Sequence, residues 1–246
     1  MVICSSSPVV NFAPDYYLFD FPFPFADRET AWEVLDSETG KKVFNAVESV
    51  GMKCLAVMEN GFRNVSCNDE KHTPEDFKGL KIRTMENDVH MAMWKAIGSN
   101  PTPMAMGEVY TALQQKTIDA QENPLFQIEA SRFYEVNKAI IETRHIFTPY
   151  TCLTNTEFFD SLSAENQTAI VEALEEAAVH EKELSVEQED KSRENLIANG
   201  CTVVQLTDEE RQLFIDAVNS AAIDDMIIEK CADKDLAKEF QALVRQ

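Results

Sequence analysis

The sequence predicts an α/β fold of two lobes joined by one long helix, on three observations. Residues 79–126 read strand, helix, strand, helix, with polar side chains gathered at the strand ends, where open α/β sheets place their ligands. Residues 163–199 form one long periodic element that stops at Gly200; at ~1.5 Å per residue it spans roughly 55 Å, about twice what one lobe needs. That helix also loses its apolar stripe midway: Ile170, Leu174, Ala177 and Ala178 share a face, whereas 181–194 is nearly all polar. Such a helix bridges solvent between two bodies. No heptad survives past Leu184, which excludes a coiled coil.

In chain order, residues 1–25 carry Pro8, Pro14, Pro22 and Pro24 between apolar runs, and predict loops and short extended pieces rather than a helix. Residues 27–40 read as a helix with Ala31, Trp32 and Leu35 inward and Gly40 as its stop, and 41–50 as a second ended by Gly51. A buried strand follows over 52–58, then the turn-forming run Glu59-Asn60-Gly61-Phe62-Arg63-Asn64. Thr73-Pro74-Glu75-Asp76 is a helix start, with Thr as cap, Pro in the first position and acids on the positive end of the dipole. The strand 80–84 carries Arg83 in its middle. A helix runs from Asn87 to a stop at Gly98, with Val89, Ala92, Met93, Ala96 and Ile97 on one face. Pro101 and Pro103 then force extended backbone. Helices over 108–115 and 125–135, strands over 139–146 and 150–155, the long helix, a strand over 202–205, and a helix opened by the capping box of Thr207 and Glu210 complete the series.

Composition bounds the function. The 246 residues are 44% hydrophobic and 26% charged, ordinary values for a globular protein. The 43 acidic residues outnumber 22 basic ones, giving a net charge of −21. That balance argues against nucleic acid or an anionic membrane surface as partner. It leaves room for a small anion, because screening over about 8 Å lets local arginines outweigh distant carboxylates. There is no apolar run of the 18 or more residues that a membrane helix needs. MVICSSSPVV lacks both the basic start and the full apolar core of a signal peptide. The six cysteines show no C-x-x-C pair and no grouping with the four histidines, so they read as reduced core thiols, with no metal and no cofactor expected.

Arg63 and Arg83 carry the chemistry. Each lies at or in a strand, where a cation needs a partner. A guanidinium offers two parallel N–H donors in a fixed fork and grips a planar carboxylate bidentately, which lysine cannot do. From the residues alone, each arginine is either such a clamp or one half of an ion pair with an acid of the chain. Glu122, in the run Asp119-Ala120-Gln121-Glu122-Asn123-Pro124, is either an orienter of an arginine or a weak general base.

GLKIR at 79–83, NPTPMAMGEVYTALQ at 100–114, DAQENPL at 119–125 and RFYEV at 132–136 resemble the substrate-binding proteins of TRAP transporters, the tripartite ATP-independent periplasmic systems for organic acids. The resemblance runs from about residue 12 to 201. It implies a two-lobed periplasmic-binding-protein-like α/β fold whose long helix spans the hinge. It implies that Arg83 is the principal clamp on the ligand carboxylate, that Arg63 helps hold it at the crossing between lobes, and that Asn123 donates to a ligand oxygen. Met106 stands where family members carry Phe or Trp packed on the ligand; a flexible thioether shapes that wall less sharply. The implied partners are a small organic acid and a membrane permease, and the implied compartment is the periplasm. Members carry an export signal and roughly two strand–helix units before the point matching Pro14, so the first lobe is expected to be incomplete. The expected boundaries are 1–60 plus 149–185 for lobe I and 61–148 plus 186–246 for lobe II. Two rival expectations remain: an enzyme in which the arginines position a carboxylate for Glu122 acting as base, and a fragment whose sheet edge stays unpaired.

Overall fold

The structure, a computed structural model, describes residues 1–245. Strand β1 (Val2–Ser5) opens the chain, followed by two short 3₁₀ helices, Ser7–Asn11 and Pro14–Asp20, where the sequence predicted loops. The first N–H groups of a helix have no partner inside it, so proline at the first or second position costs no hydrogen bond and presets φ, which is how Pro8, second in its turn, and Pro14, first in its own, start these turns instead of preventing them.

The single helix predicted over 27–40 is two. Asp27 caps α1 (Arg28–Leu35), and Ser37 caps α2 (Glu38–Asn45) by accepting from the Gly40 N–H. Gly40 is therefore not a stop. It lies inside α2, so close to the preceding helix end that a Cβ there would come within 2.3 Å of the Leu35 carbonyl oxygen and 2.6 Å of that of Val34. Gly51, with φ 75°, does end the next turn and launches β2 (Met52–Phe62), longer than expected.

The chain passes from β2 through Arg63 directly into β3 (Asn64–Cys67), then to β4 (Lys81–Thr84), α3 (Asp88–Ile97), β5 (Asn100–Pro103), α4 (Met106–Gln114) and β6 (Ala120–Asn123). β5 tolerates two prolines because it is an edge strand, paired only to β4. α5 (Leu125–Ala130) ends earlier than predicted, at a turn in which Arg132 has φ 54°. β7 (Ala139–Glu142) stops short of Ile146, and a turn with Arg144 at φ 46° leads into β8 (Phe147–Asn155). A short α6 (Thr156–Asp160), absent from the sequence expectation, precedes α7 (Ala164–Ala198), the long helix, capped by Ser163. β9 (Thr202–Gln205), α8 (Asp208–Asn219), α9 (Ile223–Lys230) and α10 (Lys234–Val244) finish the fold.

Two sheets result. One has three strands in the order β1-β8-β2, all antiparallel. The other has six, β5-β4-β6-β3-β7-β9, parallel except at β3, which runs antiparallel to both neighbours because it arrives from the first sheet. The six-stranded sheet is covered on both faces, as parallel sheets require. Ile141 faces the large core with α3 and α8 to α10, whereas Ile140 faces a smaller core with α4, α5 and Leu196 of α7. The cysteines are free thiols, four of them buried. Among the described residues, no helix is long and apolar enough to cross a membrane.

Gly40→Ala is expected to destabilise the protein by about 1–3 kcal/mol through backbone overlap, read as a lower urea midpoint at unchanged slope.

Candidate functional site

A cavity of about 330 Å³ opens between the two sheets. Its walls come from both: Ser5, Asn60 and Tyr150 from the three-stranded sheet, Arg83 and Asn123 from the six-stranded one, with Arg63 at the passage between them. Of the residues singled out in the sequence, Arg63, Arg83, Met106 and Asn123 line the cavity, and Glu122 does not. Sequence reasoning missed Asn60, Met85, Met104, Gln127 and Tyr150, which also line it. Trp94 is fully buried and stacked on Phe77, and the Tyr110 hydroxyl donates to Glu135, so neither reaches the cavity.

The two arginines differ in what they are bound to. Arg83 is 3% exposed, and its Nε and Nη2 both donate to the Met104 carbonyl oxygen, at 2.8 and 2.6 Å. Among the described residues it has no acidic partner within ion-pair distance. Burial pulls it down to about 10, only partly offset by the negative charge of Glu122, so at neutral pH it is a desolvated cation facing the cavity. Arg63, 1% exposed, is committed: Nε donates to Glu122 Oε2 at 2.5 Å, and Nη2 to Glu122 Oε1 at 3.0 Å, to its backbone oxygen at 2.6 Å and to Asn123 Oδ1 at 3.1 Å. One Asn123 N–H goes to Gln121 Oε1 at 2.6 Å, and the amide makes no second donor bond among the described residues.

Residues 1–229 match the model of the DctP family, described as bacterial extracellular solute-binding protein, family 7. The chain belongs to that family. It is similar to a solute-binding protein of Verminephrobacter eiseniae, 41% identical over 213 residues that cover 86% of this chain and 63% of the relative. It is also similar to the C4-dicarboxylate-binding periplasmic protein DctP of Vibrio cholerae, 33% identical over 214 residues, 87% of this chain and 64% of the relative. The chain thus spans somewhat less than two thirds of either curated relative. Its fold superposes with a TM-score of 0.93 on the sugar acid binding protein of Advenella mimigardefordensis in complex with galactonate, at 30% identity over 99% of this chain and 78% of that one. The two-lobed α/β architecture expected from the long helix is that of this DctP-family neighbour.

Behind the cavity, this DctP-family chain buries a polar network that composition did not reveal. Glu122 is fully buried, and its second hydrogen-bonding partner is His145 Nε2 at 3.0 Å. His90 is held by Asp20 at 2.9 Å, and Asp20 also accepts from Ser7 Oγ and Asn87 Nδ2, each at 2.6 Å. His90 Nδ1 lies 3.9 Å from Glu122 Oε1, too far for a hydrogen bond but close enough for charge. Burial alone would lower His90; the carboxylates of Asp20 and Glu122 outweigh it and raise it to about 9. Burial alone would raise Glu122; Arg63, His145 and His90 hold it well below the usual carboxylate range. Burial, helped by the positive charges of Arg63 and His90, keeps His145 below the ordinary histidine value despite its contact with the same carboxylate. Asp20, His90, Glu122 and Arg63 thus alternate in charge. Glu122 is fixed between Arg63 and His145, outside the cavity lining, and is a weak base there.

Glu122→Gln leaves Arg63 buried without a counter-charge and is expected to cost about 3–5 kcal/mol of stability, measured by denaturant unfolding. The titrations give a second expectation. His90 keeps its proton to about 9 in the folded state against 6.5 unfolded, so its contribution is complete below pH 6.5 and is lost as pH rises towards 9. His145 and Glu122 are both depressed, so their contributions are lost on acidification, below 6.5 and below 4.5 respectively. Unfolding free energy measured across pH should peak near 6.5, and His90→Gln should flatten the alkaline decline.

Proposed function

We propose that this protein is the extracytoplasmic solute-binding subunit of a TRAP-type transporter: it captures a small organic acid between its lobes in the periplasm and delivers it to a membrane permease. The observation that carries this reading is Arg83, a buried guanidinium at a strand end that faces a cavity between two sheets and lacks an acidic partner. An uncompensated buried charge is costly, so its persistence is accounted for by an occupant that supplies the anion. The Vibrio cholerae relative is named for C4-dicarboxylates and the Advenella mimigardefordensis neighbour holds galactonate, both carboxylates.

The lobe boundaries near 60/61 and 148/149 fit the sheet topology: the chain leaves the three-stranded sheet after Phe62 and returns to it at Phe147. Closure of the lobes would exclude water and strengthen the pairing of Arg83 with a ligand carboxylate as the local dielectric falls. Arg83, Arg63, Asn123 and Met106 contact the ligand in this reading, and Glu122 acts only through Arg63.

Calorimetric titration with small organic acids tests it. Arg83→Lys is expected to keep the circular dichroism and unfolding midpoint of the parent while weakening binding at least tenfold, about 1.4 kcal/mol. Affinity unchanged by that substitution would take Arg83 out of the site.

A further inference from the structure

We infer that the protein has a second anion site, outside the cavity, in which Arg144 and Arg211 together take a small dianionic oxyanion of the sulfate or phosphate type.

The first ground is which arginines go unpaired. With 43 acidic residues against 22 basic ones, an arginine of this chain finds an acid easily. Of the eight arginines, Arg28, Arg63, Arg132, Arg193 and Arg245 lie within ion-pair distance of a carboxylate. Among the described residues, Arg83, Arg144 and Arg211 do not. Arg83 lines the cavity, whereas Arg144 and Arg211 stand outside it. These two are neighbours. Burial, and after it the positive charge of Arg144, lower Arg211 below the ordinary arginine value, against the weaker opposing pull of Asp208. Two like charges held together without an acidic contact are stabilised by an anion that bridges them.

The second ground is how the pair is held. Arg144 sits in the turn between β7 and β8 with φ 46°, a left-handed conformation that side chains rarely adopt. Its N–H donates to Asn64 Oδ1 at 3.1 Å, which fixes the turn. Its guanidinium lies over the Phe62 ring, 4.1 Å from the ring centre, and its Nε is buried with no hydrogen-bond partner among the described residues. Arg211, on α8, stands 5.7 Å from the centre of the Phe23 ring. Its one side-chain hydrogen bond among the described residues is long, from Nη2 to the Phe25 oxygen at 3.4 Å. Phe23 is tied to the Arg144 turn, its N–H donating to the His145 oxygen at 2.7 Å. Aromatic faces therefore seat both cations while leaving most of their N–H groups unused. Both residues are half-buried rather than sealed. The nearest acids are engaged or outlying: the Asp27 carboxylate accepts the Thr30 N–H and hydroxyl at 2.8 and 2.7 Å as the cap of α1, and Asp208 is exposed on the first turn of α8. Each guanidinium offers paired N–H donors to an oxyanion, so two of them balance a dianion, whereas a monoanion leaves one cation unpaired.

Titration calorimetry with sulfate, phosphate and acetate at millimolar concentration, with ionic strength held constant by chloride, tests the inference. Low concentration at constant ionic strength separates site binding from the general stabilising effect of sulfate. The parent protein and Arg83→Lys are each expected to bind a single sulfate or phosphate, and acetate at least tenfold more weakly. Arg144→Gln and Arg211→Gln should each weaken the oxyanion at least tenfold, with circular dichroism and the unfolding midpoint in chloride reporting that the fold is kept. No sulfate or phosphate binding by the parent, or binding that both glutamine variants retain, would overturn the inference. Binding lost in Arg83→Lys would place the oxyanion in the cavity and overturn it too, and acetate binding as tightly as sulfate would overturn the assignment of a dianion. The comparison of parent with Arg83→Lys stands even where a glutamine variant does not fold. Failure of organic acids to bind bears on the cavity alone and leaves this site untouched.

Discussion

The ion pair of Arg63 and Glu122 sets the terms for the rest of this molecule. Arg63 occupies the single residue between β2 and β3, and Glu122 lies on β6, the strand that pairs with β3. The backbone N–H of Arg63 donates to the Ile146 oxygen at 2.9 Å, and that of His145 to the Arg63 oxygen at 3.3 Å, so both passages between sheets are strapped together at the point where the pair is buried. A buried pair contributes little net stability against a well-packed apolar alternative. It does fix position, since neither partner can move without leaving a charge unpaired. The passages are thereby held in one register, and Arg63 stands beside the cavity as an N–H-rich wall without adding net charge to it.

The same logic explains how a protein of net charge −21 keeps an arginine free of acidic partners beside its cavity. The polar half of α7 makes local pairings: Arg193 donates to Glu142 at 2.6 Å, Ser192 and Asn195 to Glu129 at 2.6 and 2.7 Å, and Glu181 accepts the Glu59 N–H at 2.8 Å. Glu59, buried beside Arg28 and Trp32, ties α1 to β2 in the same way. Carboxylates near the hinge are consumed by neighbours, and those on the surface are screened beyond about 8 Å. Arg83 feels chiefly its own desolvation and the charges of Glu122, Arg63 and Glu86.

Fold class and helix positions were legible because they rest on local signals: the caps Asn87, Ser163 and Thr207, the Gly98 stop at φ 103°, and the loss of the apolar stripe along α7. Errors arose where tertiary contact overrode a local sign. Gly40 looks like a terminator, yet it is glycine because two helix ends approach closely there. In the site, arginines announced themselves through their rarity in strands, and the fork chemistry singled out both. Asn60 gave no such signal, because a turn-forming Asn is commonplace and only the fold brings it to the cavity. His90, His145 and Asp20 are far apart in sequence and meet only in the folded core. No spacing rule reaches such a network.

The geometry of Arg83 sharpens what the fork can do. Nε and Nη2 are directed at the Met104 carbonyl, so one edge of the guanidinium is occupied by the chain itself. The remaining edge, formed by Nη1 and the second N–H of Nη2, makes no hydrogen bond among the described residues and keeps the two parallel donors that a planar carboxylate can bridge end-on. The carbonyl that occupies the first edge carries no net charge, so it orients the cation without quenching it. Met104 also lines the cavity, and it follows β5 and precedes α4, the helix that opens at Met106. The backbone that aims the guanidinium is therefore continuous with the apolar wall that Met104 and Met106 give the cavity. Lysine, with one ammonium, cannot hold the carbonyl and span both carboxylate oxygens in a single plane. An arginine at position 83 can meet both demands at once, holding the carbonyl with one edge and keeping the other edge free.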